Sequence, residues 1–240
     1  MTTIFRAILI DLNTNLPVVG DAIGDELGVR VPADVETYRS NGADWVSPIN
    51  LKNKPQGTSV SPDTGCNLPP HRRPKPPSPW NGTNNKTALR VWQMDTSQLV
   101  PAQLVYVPDP DDPKHGFLSP PIAMSLAEYR GYVHGTAPLW TQSTDPDPAC
   151  VNLPVQGADV RDHEERAALV DATAAGGDVE VLVSELRSAN ASGVSRTTLI
   201  AELTAGVERA PDEAAADVLL ELLDRVTGFC GPHARIDLAD

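Results

Sequence analysis

Apolar and β-branched residues run from Thr3 to Ile10, interrupted only by Arg6, and stop at the polar cluster Asp11-Leu12-Asn13-Thr14-Asn15. That pattern predicts a first strand closed by a turn. Arg6 shares its strand face with Ile4, Ile8 and Ile10. A guanidinium there is paired, used by a ligand, or set at a sheet edge with its head in water. Residues 21–27 and 33–39 read as short helices, and Asn41-Gly42 as a turn. A small-residue turn, Gly57-Thr58-Ser59, then enters the β-branched run to Ser61. Gly57 permits a bend or a close approach of the backbone to a ligand, and the two hydroxyls are donors and acceptors for a neighbouring strand or a ribose.

From Pro62 to Lys86 the chain is rich in proline and asparagine and predicts a long irregular loop. Strands are expected at 88–94 and 99–107, followed by the acidic, proline-locked turn Pro108–Pro113, which should project into solvent. Its three acids suggest a cation site, but the prolines set their spacing and no ligand pattern accompanies them. His115–Pro121 reads as a short strand. Ser125 then caps a helix in which Glu128 completes a capping box, and the linker falls within 134–160.

Beyond the linker the period changes to three and four. Leu182, Leu186, Leu199, Leu203, Val207, Leu219, Leu222, Leu223 and Val226 mark apolar stripes on helices near 162–174, 178–190, 195–209 and 211–228. Ser195 is the expected cap, Pro211 a first-turn residue and Gly228 the final stop. The chain therefore divides into an α+β part, residues 1–150, and a small all-α part, residues 151–240.

Composition deepens that division. Residues 1–150 carry a formal charge of −3 and 20 of the 23 prolines, whereas residues 151–240 carry −10 and no lysine. The net charge of −13 argues against nonspecific DNA binding, which requires basic clusters. The basic run His71-Arg72-Arg73-Pro74-Lys75 reads as a solvated loop. Cys66, Cys150 and Cys230 show no zinc-site spacing and are expected as reduced thiols. Without an N-terminal signal pattern or a long apolar run, the expectation is a cytoplasmic protein free of the membrane, with signal-free export left open.

The first half resembles a family by the order of its motifs: Phe5-Arg6-Ala7, then Gly57-Thr58-Ser59-Val60, Pro101-x-x-Leu104, His115-Gly116-Phe117-Leu118-Ser119-Pro120, and Met124-x-Leu126-x-x-Tyr129. Over residues 3–133 this series is similar to the type VI secretion effector toxins with an ADP-ribosyltransferase fold. The resemblance implies split antiparallel sheets with NAD, as substrate, in the cleft between them. Arg6, Gly57, Thr58 and Ser59 would bind NAD, with Arg6 on a phosphate or ribose and the hydroxyls on the nicotinamide ribose. His115 and Ser59 would serve the reaction, and Glu128 is the acid in the neighbourhood of the family's late glutamate, although its capping role competes. No metal site is implied.

The function so implied is cleavage of NAD and transfer of ADP-ribose to an unknown macromolecular acceptor. The acidic helical part would mask the cleft, dock a partner or immunity protein, or mediate dimerisation. The alternative is a non-catalytic nucleotide- or protein-binding module with a helical partner-binding part.

Overall fold

The computed structural model describes residues 2–144 and 160–239, the side chains of 160–165 excepted. Two compact units result: a sheet unit of residues 1–151 with 229–234, and a helical unit of residues 152–228 with 235–240.

The sheet unit opens with β1 (Thr3–Asp11), β2 (Leu16–Pro17), β3 (Thr37–Ser40), β4 (Ala43–Val46) and β5 (Thr58–Pro62). It continues with β6 (Leu89–Asp95), β7 (Val105–Pro108), β8 (Gly116–Ser119), β9 (Met124–Ser125), α1 (Leu126–Gly135) and β10 (Thr141–Gln142). The larger sheet runs β10-β6-β1-β5-β8-β7 with β2 on β1; a second sheet is ordered β3-β4-β9. All strand pairs are antiparallel. The mixed α+β class is thus present in the described residues.

The first strand forms as its pattern dictates, pairing with β6 from Thr3↔Asp95 to Leu9↔Leu89. Alternation gives it two buried faces. Ile4, Ile8 and Ile10 pack with Val60, Trp92, Leu118 and the α1 residues Leu126, Tyr129 and Val133. On the reverse face Phe5 and Ala7 pack with Leu68, Trp80, Leu89, Val91 and Phe229. Burying both faces explains why this strand is a continuous apolar run.

Several expectations are corrected. The predicted helix at 33–39 gives way to the β3–β4 hairpin, whose Asn41 and Gly42 both take positive φ, 51° and 77°. That geometry suits a tight two-residue hairpin turn, and pairing overrides the weak local helix signal. No helix forms at 21–27 either; there the main chain lies along β1, with the Leu9 N–H donating to the Asp25 carbonyl at 2.8 Å. The expected strand at 99–107 shortens to 105–108. The basic run folds inward, leaving His71, Arg72 and Arg73 at 2%, 2% and 6% exposure. Arg72 and Lys86 converge on buried Asp25, at 2.6 and 3.1 Å, so a charge run that looked solvated holds the loop to the sheet unit. Cys66 is disulfide-bonded, which overturns the expectation of reduced thiols; Cys150 lies outside the described residues, and Cys230 is a buried thiol.

The helical unit comprises α2 (Val160–Ala174), α3 (Val179–Ala191), α4 (Arg196–Arg209) and α5 (Glu213–Thr227) around a core of Leu182, Leu199, Leu203, Leu219 and Leu223. Ser195 caps α4 by accepting the Thr198 N–H, and Gly228 ends α5 at φ 80°. Asp212, not Pro211, begins α5: its side chain accepts the Ala215 N–H. Arg166 and Glu202 form a buried fork, with hydrogen bonds of 2.8 and 2.9 Å.

Candidate functional site

The site begins where β1 and β5 part. Their ladder holds only Ile4↔Pro62 and Phe5↔Ser61. Beyond it the same edge of β1 is served by Asp25 and Val18, the latter donating to the Leu9 carbonyl at 2.8 Å. Arg6 bridges the divergence. One terminal nitrogen donates to the Ser59 carbonyl at 2.5 Å, and the other to the carbonyls of Gly24 and Glu26 at 3.2 and 3.3 Å. The residue is 1% exposed. Strand divergence leaves main-chain acceptors without a ladder partner, and a five-donor guanidinium satisfies several of them at once.

Thr58 and Gly57 lie on the same structural seam. Thr58 donates its hydroxyl to the Gly28 carbonyl at 2.9 Å, while its N–H donates to the Tyr129 hydroxyl at 2.9 Å. Tyr129 in turn donates to the Leu118 carbonyl at 2.5 Å. Burial pushes the Tyr129 phenol far above its ordinary 10.0, keeping it protonated as a donor. At Gly57 an added Cβ would stand 2.2 Å from the Leu118 carbonyl oxygen. Only glycine admits that approach.

Ser59 and His115 occupy the reverse face of the sheet. Ser61 pairs with Phe5, and Ser59 with Phe117; the His115 ring meets Phe117 edge-on, centroids 4.6 Å apart. Ser59 and Ser61 are both fully buried, and their hydroxyls have no hydrogen-bond partner among the described residues. Such orphaned hydroxyls are uncommon in a folded interior and set this face of the sheet apart.

Asp109, assigned by the sequence pattern to a solvated tip, is a further correction. Its N–H donates to the His115 carbonyl at 3.0 Å, extending the β7–β8 ladder inward. Its carboxylate lies 2.7 Å from His115 Nδ1, with both side chains at most 2% exposed. The prolines around it hid this in the sequence, because the contact depends on a strand partner six residues away. With the carboxylate accepting the Nδ1 proton, the basic lone pair of the imidazole is placed on Nε2. Of the three acids only Asp111, paired with Lys54 at 2.5 Å, keeps the expected exposed character; Asp112 is half-buried.

The structure therefore brings Ser59, His115 and the unforeseen Asp109 to one face. Arg6 and Thr58 lie on the other, joined to the first group through the Ser59 main chain. Glu128 stands exposed on α1, where its N–H donates to the Ser125 hydroxyl at 3.2 Å and its carboxylate accepts from Tyr132 at 3.0 Å. Since α1 packs on the Ile4–Ile8 face, Glu128 is not part of the His115 group.

Phe229, the residue after the α5 stop, completes the surroundings. Its ring centroid lies 5.4 Å from that of His115 and it is 5% exposed. The following turn is held by a 2.8 Å hydrogen bond from the Gly231 N–H to the Ala33 carbonyl, and by His233 Nε2 donating to Pro32. A Cβ at Gly231 would meet the Asp34 carbonyl at 2.8 Å. Nothing in the sequence pairs this turn with His115; proximity of Gly228 and Pro232 signals only the end of a helix.

No helix among the described residues is long and apolar enough to cross a membrane. In comparisons with known proteins, no family model, no curated protein and no solved structure matches this chain.

Proposed function

We propose that the sheet unit is an NAD-cleaving mono-ADP-ribosyltransferase of the toxin type, held closed at its reaction centre by Phe229. The observation that carries this reading is the juxtaposition of the buried, unpartnered Ser59 hydroxyl with the His115–Asp109 pair, beside the divergence of β1 and β5. Ser59 suits a ribose hydroxyl, as donor and acceptor. In the reaction the bond from nicotinamide nitrogen to ribose carbon breaks, and the nitrogen keeps the electron pair. The acceptor nucleophile, or water, bonds to that carbon and yields its proton to His115 Nε2, while Asp109 holds the imidazole and balances its charge.

Arg6 has a different role from the one the resemblance implies. Its terminal nitrogens already donate to three carbonyls and it is 1% exposed, so it holds the parted strands rather than a phosphate. Glu128 likewise serves the helix. Asp109 takes the place of the acid. The disulfide at Cys66 supports work in an oxidising compartment.

A second reading, a non-catalytic binding module, is favoured by the cover that Phe229 places on His115. One assay separates the two. The full chain and its Phe229→Ala variant are incubated with nicotinamide-labelled NAD and cell lysate. Under the enzyme reading Phe229→Ala releases nicotinamide faster than the wild type, and adding His115→Ala stops it. Release from neither protein sinks the enzyme reading.

A further inference from the structure

The sheet unit holds a cavity of about 600 Å³, whose lining includes none of Arg6, Ser59, His115 and Asp109. One wall is the proline-rich stretch from Pro74 to Trp80; the other includes Leu89 and Val91 of β6. The sequence pattern made this stretch a structureless loop. In the fold it is a cavity wall.

The charge of the lining is unusual for a chain of net −13. Lys75, Lys86 and Arg90 line the cavity, and no acidic residue does among the described residues. Lys86 is answered by Asp25 at 3.1 Å. Lys75 has no carboxylate partner among the described residues, and Arg90 directs one terminal nitrogen to the carbonyls of Thr87 and Leu89, at 2.8 Å each. A third donor is Asn84, 1% exposed. Its amide oxygen accepts the Lys86 N–H at 3.1 Å, which fixes the orientation of the group. The amide nitrogen has no hydrogen-bond partner among the described residues. A buried, oriented NH₂ without an acceptor, in a lining that carries cations and no carboxylate among the described residues, calls for an anion.

We propose that this cavity binds a nucleotide, with the phosphates on Lys75, Arg90 and the Asn84 amide and the base and sugar against Trp80 and the prolines. The volume decides between a bare anion and a larger ligand: about 600 Å³ is in the range of small-molecule sites and far exceeds what one phosphate fills. This inference is independent of the NAD reaction at His115.

The test is calorimetric titration of the full chain with ADP and, separately, with inorganic phosphate. ADP binds saturably, more tightly at low salt, and at least about tenfold more tightly than phosphate. Lys75→Glu, an exposed position that carries no folding risk, and Asn84→Asp each raise the Kd for ADP about tenfold or more. The proposal is overturned by no saturable binding of ADP, by a Kd unchanged in both variants, or by binding lost in His115→Ala while Lys75→Glu leaves it intact. Equal affinity for phosphate and ADP also overturns it, leaving a bare anion site.

Discussion

Replacing Arg6 by alanine removes a side chain that bridges the parted strands. Two buried carbonyls, of Ser59 and Gly24, and the half-buried one of Glu26 lose donors at 2.5, 3.2 and 3.3 Å. Each bond from a charged donor contributes about 1.5–3 kcal/mol, and a buried acceptor left unsatisfied costs about 1–3 kcal/mol. Because the three share one guanidinium they do not add, and the total expected is about 3–5 kcal/mol. With an m-value of about 2 kcal/mol/M the urea midpoint falls by about 2 M. Tryptophan fluorescence isolates the effect, since Trp45, Trp80, Trp92 and Trp140, all four in the chain, lie in the sheet unit. Trp92 pairs directly with Arg6 in the β1–β6 ladder. A solvent-facing arginine would shift stability by no more than about 0.5 kcal/mol. A midpoint within about 0.3 M of the wild type would refute the bridging role. It follows that lost activity in Arg6→Ala says nothing about NAD, whereas Ser59→Ala and His115→Ala do.

Further outcomes follow from other contacts. Tyr129→Phe strands the Thr58 N–H and the Leu118 carbonyl and should lower sheet-unit stability by about 1–3 kcal/mol in the same urea assay. Burial alone would raise the Asp25 carboxyl, but Arg72 and Lys86 outweigh it and hold the group below 3.8. Its stabilising contribution is therefore complete above pH 3.8 and lost as the pH falls through the lower folded value; acid titration of tryptophan fluorescence should show a transition there that Asp25→Asn removes. In the helical unit, Glu202→Ala leaves Arg166 buried without its forked partner. About 3–5 kcal/mol should be lost in the far-ultraviolet dichroism transition, with the tryptophan transition unmoved.

Elements whose burial is set by their own periodicity were legible in the sequence. The Thr3–Ile10 run, the capped start of α4 and the Gly228 stop each depend on residues within a turn or two. Gly57 was legible as a close approach, though not that the Leu118 carbonyl is what comes near. What escaped depends on distant partners. Asp109 is buried because β7 lies against β8, and Arg72 because Asp25 waits 47 residues upstream of it. Tyr38 and Arg39 form a strand on a short hairpin whose outer face is exposed, so no apolar alternation marks it. Arg6 shows a subtler limit. A lone charge on an apolar strand reads as a ligand hook, and only the divergence of β1 from β5 shows that the ligand is main chain.

The proposed NAD-cleaving centre of Ser59, His115 and Asp109 lies under the Phe229 ring, whose centroid is 5.4 Å from that of His115. Its most direct measurement is nicotinamide release from labelled NAD by the full-length Phe229→Ala protein, compared with the same protein carrying His115→Ala. The expected result is turnover above wild type in the first and none in the second, with tryptophan fluorescence showing both folded. Absence of release in folded Phe229→Ala, or release undiminished by His115→Ala, would contradict the account.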